Sequence, residues 1–348
     1  MMKVLTFRRW LTILAGLFVI WWITLLIGLV HGTESITLPE AGRILWNRFS
    51  SGSGVGMDDR MGVILLQVRL PRLLLAGLVG GTLAMVGVAL QALLRNPLAD
   101  PFVIGISSGT ALGVVLALLM GLNLSFRGLT ALPLFGFLGG LSALLFLYRL
   151  SRVHGKIFVQ TLLLAGVILN AMLSAVIMFI TYMVDADKVL GIVYWLMGNL
   201  GSLDPKALAV VAVYSLIGMG ILLRLARGLN LLALGDETAV SLGLDAERTK
   251  RTAFFASALL TGAVVSVSGL ISFVGIMIPH VLRILIGPDH RLLLPASVLG
   301  GGIFLMAADT LGRSLISPTE IPVGVITALL GGPFFLVLLR RRGGHGFG

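Results

Sequence analysis

Nine stretches of this chain run for 17 residues or more without a single Asp, Glu, Lys or Arg: Trp10–Val30, Leu73–Leu94, Phe102–Leu122, Leu129–Tyr148, Ile157–Val184, Ala207–Leu223, Thr252–Leu282, Leu292–Ala308 and Ile321–Leu339. Runs of about 20 apolar residues match the thickness of a bilayer's hydrocarbon core when helical, so the chain reads as all-α and polytopic. Composition agrees, with 57% hydrophobic and 12% charged residues among 348 and a mean hydropathy of +1.04. A soluble domain carries roughly a quarter charged residues, which excludes a water-soluble reading. Residues 1–348 read as one membrane domain, with no soluble domain attached.

The run Thr252–Leu282 is too long for one simple span, and Ser266-Val267-Ser268-Gly269 interrupts it midway. Topology decides its count. Cytoplasmic loops are enriched in Lys and Arg, so Lys3, Arg8 and Arg9 at one end and Arg340, Arg341 and Arg342 at the other belong on the same side. Two ends inside require an even number of spans, and splitting the long run gives ten transmembrane helices. The loops then hold seventeen basic residues against six acids inside, and nine against nine outside. The whole net charge of +11 is thereby placed on the cytoplasmic face, and it reads as topology rather than as a nucleic-acid surface. The first run, preceded by basic residues, is expected to be an uncleaved span, because His31 to Glu34 lacks a small-x-small cleavage pattern.

Two outside stretches are more than short links. His31 to Val68 is long and polar, with a Gly/Ser patch at Ser50 to Gly56 that reads as a flexible turn. Val189 to Leu203 is apolar but too short to span, and is expected to lie at the interface or dip back. Many of the 45 glycines fall inside spans, Gly77, Gly80, Gly81 and Gly87 among them. Small residues let helices approach closely where lipid supplies no hydrophobic drive, so bundle packing accounts for most of them.

Chemistry-bearing motifs are absent. No Walker A pattern, His-Glu-x-x-His pair or Gly-x-Ser-x-Gly elbow occurs, so the chain is expected to have no catalytic residues and to hydrolyse no ATP itself. The chain has no cysteine, and none of His31, His154, His280, His290 and His345 stands at ligand spacing from another, so no metal site is expected. Asp309 is the main acid near a span. An ion-coupled secondary transporter places ionisable or unwound polar elements at mid-membrane, and a membrane enzyme needs a polar constellation. Those two remain the competing classes.

The longest cytoplasmic loop, residues 228–251, is punctuated regularly. Gly235 ends one short helix, Asp236 is placed to cap a second whose first turn carries Glu237, Gly243 stops that helix, and Asp245 caps the next span. Leu231, Leu232, Leu234, Val240, Leu242 and Leu244 are then expected on an exposed apolar face. Such a face fits a partner's groove or the surface of the lipid.

Seven blocks resemble one family, the permease subunits of type II ABC importers, or FecCD-like proteins, which take up cobalamin, haem and ferric siderophores. They are Arg69-Leu-Pro-Arg72, Gln91-Ala-Leu-Leu-Arg-Asn-Pro-Leu-Ala-Asp-Pro101, Leu163-Leu-Ala-Gly-Val167, Ala233-Leu-Gly-Asp-Glu237 with Leu242-Gly-Leu244, Phe273-Val-Gly-Ile-Met-Ile-Pro-His-Val-Leu-Arg283, Asp289-His-Arg-Leu-Leu-Leu-Pro295 and Ile321-Pro-Val-Gly-Val-Ile-Thr327. The resemblance implies a ten-helix subunit forming a homodimer in the inner membrane with both termini cytoplasmic. It also implies two ATP-binding-cassette ATPase subunits that hold ATP and Mg, and a periplasmic or lipid-anchored substrate-binding protein. No cofactor is implied in this chain.

Residue roles follow by position. Leu231, Leu232, Leu234, Gly235, Asp236, Glu237, Leu242, Gly243 and Leu244 resemble the coupling helices that insert into the ATPase. Arg69, Arg72 and Arg313 resemble outward arginines that pair with glutamates of the binding protein, although lipid headgroups are an alternative partner for the first two and Asp309, one turn away, for Arg313. Asn96, Leu98, Val159 and Gln160 resemble inner gates, with Val159 and Gln160 standing where some relatives carry small hydroxyl residues. The implied cargo is an iron chelate, siderophore or haem, ahead of cobalamin.

Overall fold

The computed structural model describes residues 6–343 apart from Ser35, 52–59, Val103, 123–124, 127–128, 154–155, 202–203 and Ser317. Its helices are α1 (Phe7–Val30), α2 (Leu38–Ser51), α3 (Arg60–Val63), α4 (Leu70–Leu93), α5 (Ile106–Leu119), α6 (Ala131–Ser151), α7 (Val159–Met183) and α8 (Ala186–Leu196). The chain continues through α9 (Pro205–Arg224), α10 (Ala226–Leu232), α11 (Asp236–Ser241), α12 (Ala246–Ser268), α13 (Val274–Ile286), α14 (His290–Ser314) and α15 (Val323–Gly343). Two pairs of two-residue antiparallel strands close the turns before and after α6.

Among the described residues seven helical stretches are long and apolar enough to cross a membrane, and three shorter apolar helices, α5, α13 and the first part of α15, complete the ten elements read from the sequence. The long run divides where its small polar residues stand. Gly269, at φ +68°, caps α12, and α13 restarts after Phe273, which itself adopts a left-handed φ of +67°. The break is therefore Gly269 to Phe273, a few residues later than the Ser266–Gly269 signal.

The stretch after α1 differs from the expected loop. It folds into α2 and α3, and a π-helical turn, Ile64–Arg69, joins α3 to α4 as a continuous apolar rod from Arg60 to Leu93. Ser50 and Ser51 end α2, and the remainder of the Gly/Ser patch lies outside the described residues. Val189–Leu203 contributes to α8, which packs on α5 and then turns through Gly198, at φ +77°, against the α12–α13 break.

The core is centred on α4, packed most extensively on α14, with α12, α13 and α9 around it. Glycine permits this closeness. A Cβ on Gly80 would stand 2.2 Å from the Gly301 carbonyl oxygen, and one on Gly87 would stand 1.9 Å from that of Gly275. These are backbone-to-backbone contacts that any side chain would abolish.

The ends sort cleanly. Arg9 Nη2 donates to the Ile286 carbonyl at 3.1 Å, Trp10 Nε1 to that of Arg291 at 3.1 Å, and Arg283 Nη2 to Gln91 Oε1 at 2.7 Å. The start of α1, the end of α4, the handle α10–α11, the end of α13 and the start of α14 thus share one basic end. The end of α1, the start of α4 and the end of α14 share the opposite end.

Candidate functional site

Three stations on this frame carry the residues singled out in sequence, two at the basic end and one at the opposite end.

The handle is two short helices, as expected, each stopped by a glycine. Gly235 (φ +116°) and Gly243 (φ +85°) take backbone conformations that an L side chain resists. Gly235 occupies the N-cap of α11 without any side-chain cap, so Asp236 does not cap that helix as the sequence suggested. Its carboxylate instead binds Lys250 Nζ at 2.5 Å and Arg95 Nη2 at 3.3 Å, fastening the handle to α12 and to the turn after α4. Asp245 does cap α12, accepting from the Arg248 backbone N–H at 2.9 Å.

The handle's apolar face is narrower than expected. Leu232 is 1% exposed and packs into the core, and Leu231 and Leu244 are half-buried, because α10 lies down on α4 and α14. Leu234 (64% exposed), Val240 and Leu242 project outward, with Glu237 exposed beside them. Asn230 anchors the base of the handle: its Nδ2 donates to Asp289 Oδ1 at 2.9 Å, and its Oδ1 accepts from the His290 backbone N–H at 2.9 Å. Asp289 also receives Arg291, whose Nη2 stands 2.5 Å from Oδ2. The Arg291 side chain, with Asn230 behind it, holds the Asp289 carboxyl well below the usual carboxylate range.

The gate candidates occupy two separate turns. After α4, Arg95 adopts a left-handed φ of +47°, and the Asn96 side chain accepts from the Leu98 backbone N–H at 2.9 Å in an Asx turn. A second such turn follows at once, with Asp100 Oδ1 accepting from the Phe102 N–H at 2.7 Å. Asp100 is buried, and desolvation pushes its carboxyl up to about 6 despite that bond. Val159 and Gln160 lie in the first turn of α7, behind the second strand pair. Among the described residues no hydrogen bond links the two turns.

At the opposite end, Arg69, Arg72 and Arg313 do cluster, but beneath the surface. Arg69 and Arg313 are each 3% exposed. Arg69 Nη1 donates to the carbonyls of Leu29 at 2.8 Å and Val30 at 3.2 Å, and Arg313 Nη2 donates to that of Gly28 at 3.3 Å. These are the last carbonyls of α1, which have no partner within the helix and sit at its negative end, so guanidinium groups suit them. Asp309 binds Arg72 Nε at 2.9 Å and Arg313 Nε at 3.0 Å through its two oxygens. Arg72 Nη1 reaches outward to the partly exposed Glu320, whose Oε2 stands 2.6 Å away, while Arg69 also donates to the Glu34 carbonyl. The Arg313–Asp309 pairing anticipated one turn apart is present, and α1 covers Arg69 and Arg313.

Sequence reasoning passed over the Asn230–Asp289–His290 junction, the Gln91–Arg283 bond and buried Asp100. The last two had a faint signal: Gln91 is a glutamine inside a charge-free run, and Asp100 stands just before one. Among the described residues no group of three or more His, Cys, Asp or Glu is placed to hold a metal.

Comparison with known proteins places this architecture. The hemin transport system permease protein of Yersinia pestis is 42% identical over 321 residues, spanning 91% of this chain and 93% of that one. The molybdate import system permease protein of Haemophilus influenzae is 38% identical over 335 residues, spanning 95% and 97%. Among solved structures, an inward-facing transporter described as of the metal-chelate ABC type superposes with a TM-score of 0.80 at 34% identity, covering 95% of this chain and 99% of that one. The model of the FecCD transport family matches residues 19–341, and the chain therefore belongs to that family of ABC importer permeases, which are transport subunits and not enzymes.

Proposed function

We propose that this permease forms, as a homodimer, the channel of an importer for an iron chelate, siderophore or haem, or for cobalamin. Separate ATPase subunits holding ATP and Mg drive it, and a periplasmic or lipid-anchored binding protein feeds it. The basic end faces the cytoplasm of the inner membrane, so both termini are cytoplasmic. The observation that carries the reading is the handle: a rigid helix pair, ion-paired through Asp236 to Lys250 and Arg95, that presents Leu234, Val240 and Leu242 to solvent. Exposed apolar side chains on a braced polar base fit a protein groove and transmit force through the base.

The tunnel lies along α7. Gln160, Leu164, Val167, Ala171, Ser174 and Met178 recur at helical spacing on its exposed side, a mostly apolar stripe with two polar side chains. Two such stripes across a twofold axis line a passage without strong ligands that would trap a cargo. The inner closure falls to Asn96, Leu98, Val159 and Gln160, which meet only when a second subunit completes the ring. The binding protein docks at the other end, over Arg69, Arg72 and Arg313, with its carboxylate taking the place of Glu320 on Arg72. The hemin relative, at 42% identity, supports a chelate ahead of the small oxyanion of the molybdate relative at 38%.

The test is the triple variant Leu234→Ser, Val240→Ser, Leu242→Ser, which leaves Leu232 and the Asp236 ion pairs in place. The variant is expected to insert and keep its thermal stability, to lose at least about tenfold in ATPase retention and to abolish ATP-driven uptake, since buried apolar anchors carry most of an interface's energy. Wild-type ATPase retention and uptake in proteoliposomes would refute the handle reading.

A further inference from the structure

At the basic end a cavity of about 1070 Å³ opens between the end of α4, the handle and the α13–α14 turn. Four arginines from four elements line it: Arg9 of α1, Arg95 after α4, Arg283 of α13 and Arg291 of α14. Asp289 is the one carboxylate among the lining residues, and Arg291 and Asn230 already engage it. Bonds to the Ile286 carbonyl and to Gln91 hold Arg9 and Arg283 at the wall. The cavity is therefore a preformed anion site, since guanidinium groups clustered in a concave wall favour a phosphate or carboxylate.

A second observation concerns the rim. Ile284 and Leu285, at the end of α13, line the cavity and are among the most exposed apolar side chains of the chain. The Trp10 indole donates to the Arg291 carbonyl at the same level. Tryptophan and arginine at the ends of apolar spans mark headgroup depth, and apolar side chains beside a basic hollow suit a molecule with a charged head and a hydrocarbon tail.

We propose that this cavity binds the headgroup of an anionic phospholipid such as phosphatidylglycerol, with its phosphate among Arg9, Arg283 and Arg291 and its acyl chains along Ile284 and Leu285. The bound lipid ties α1 to the base of the handle. The inference stands independently of the transport reading.

Native mass spectrometry of the full chain, released from nanodiscs holding equal phosphatidylglycerol and phosphatidylcholine, tests it. Wild type is expected to retain phosphatidylglycerol selectively. Arg9→Gln with Arg283→Gln should weaken retention about fivefold for each arginine, as juxtamembrane basic residues do. Arg224→Gln with Arg227→Gln, an equal charge loss at exposed positions outside the cavity, should leave it unchanged. Equal retention of the two lipids by wild type, or equal effects of the two double variants, would overturn the proposal. So would displacement of the lipid by soluble glycerol phosphate, which marks a free-anion site, or its expulsion when ATPase subunits bind, which assigns the cavity to an acidic element of that partner.

Discussion

Helices α4 and α7 are similar in composition and opposite in environment. Both are about 24 residues of apolar sequence, yet 89% of the α4 span is enclosed by other helices and 11% of the α7 span is. Hydrophobicity does not separate them, because a membrane gives leucine nearly the same environment against lipid as against protein. Small residues do. Helix α4 carries Gly77, Gly80, Gly81 and Gly87 and is packed on most of its circumference, whereas α7 carries Gly166 alone and leaves Leu164, Met172, Met178 and Phe179 exposed. Burial inside a membrane bundle follows from how closely backbones approach, and surface left over on an apolar helix is available for lipid or for a second subunit.

The largest expected effect comes from breaking the buried member of the pair. Gly87→Leu places a side chain where Gly275 backbone stands, with no flexible neighbour to yield. Overpacking costs about 1–3 kcal/mol where side chains alone must move, and more is expected where two backbones must part. The variant should lose its monodisperse elution in mild detergent. On α7, Leu164→Ala should leave monomer stability within about 0.5 kcal/mol, the range of exposed substitutions. Thermal shifts of similar size for the two variants would erase the distinction between core and rim helix.

A smaller effect separates two aspartates at the basic end, Asp100, which is buried, and Asp289, which is partly exposed. Asp289 is held ionised by Arg291 and Asn230, whereas Asp100 is buried with one backbone donor and its carboxyl is pushed up to about 6. A carboxylate whose folded pKa is raised contributes most below its unfolded value near 3.8, and that contribution is lost as pH rises through about 6. Asp100→Asn keeps the oxygen that accepts from Phe102 and removes the charge. It should stabilise the permease above pH 6 by on the order of 3 kcal/mol and have little effect near pH 4. Unfolding of wild type and variant in detergent across that range checks it, and a pH-independent difference would show that Asp100 is not ionised by pH 8.

The sequence made most of this fold legible because each transmembrane element leaves a contiguous apolar run and each handle helix ends on a glycine. The ten-element count, the split near Gly269 and the two-helix handle follow from those local signals. Three features depended on contacts made far along the chain. Leu232 looks like Leu234 in sequence, and only the way α10 lies on α4 and α14 buries one and exposes the other. Helix α2, 14 residues and amphipathic, is too polar to announce a span, and α3, with four residues, is too short to show a period. The arginines at the end opposite the handle lie together, but their burial comes from α1, 40 residues before Arg69, folding its last carbonyls over them.

That cluster supplies the smallest expected effect and refines the contrast between enclosed and available surface. Arg69 and Arg313 are committed to α1 carbonyls and to Asp309, while Arg72 divides itself between buried Asp309 and the partly exposed Glu320. If a binding protein presents a glutamate here, it competes with Glu320 for one side of one guanidinium. Removing the competitor helps it. Glu320→Gln should therefore tighten docking, and because an exposed ion pair is worth only about 0–1 kcal/mol, the gain should stay within about fivefold. The gain should also shrink as ionic strength rises and the Debye length falls from about 10 Å at 0.1 M to about 3 Å at 1 M. Arg72→Gln should weaken docking at low salt, while Asp309→Asn, which frees Arg72 and Arg313 together, should disturb the packing of α1 on α14 before it changes any surface. Surface plasmon resonance of the binding protein on nanodisc-held permease, run across salt, separates these cases. Unchanged affinity in Glu320→Gln at every ionic strength would mean that Arg72 serves the fold alone, and that docking at this end uses the exposed apolar surface rather than the arginines.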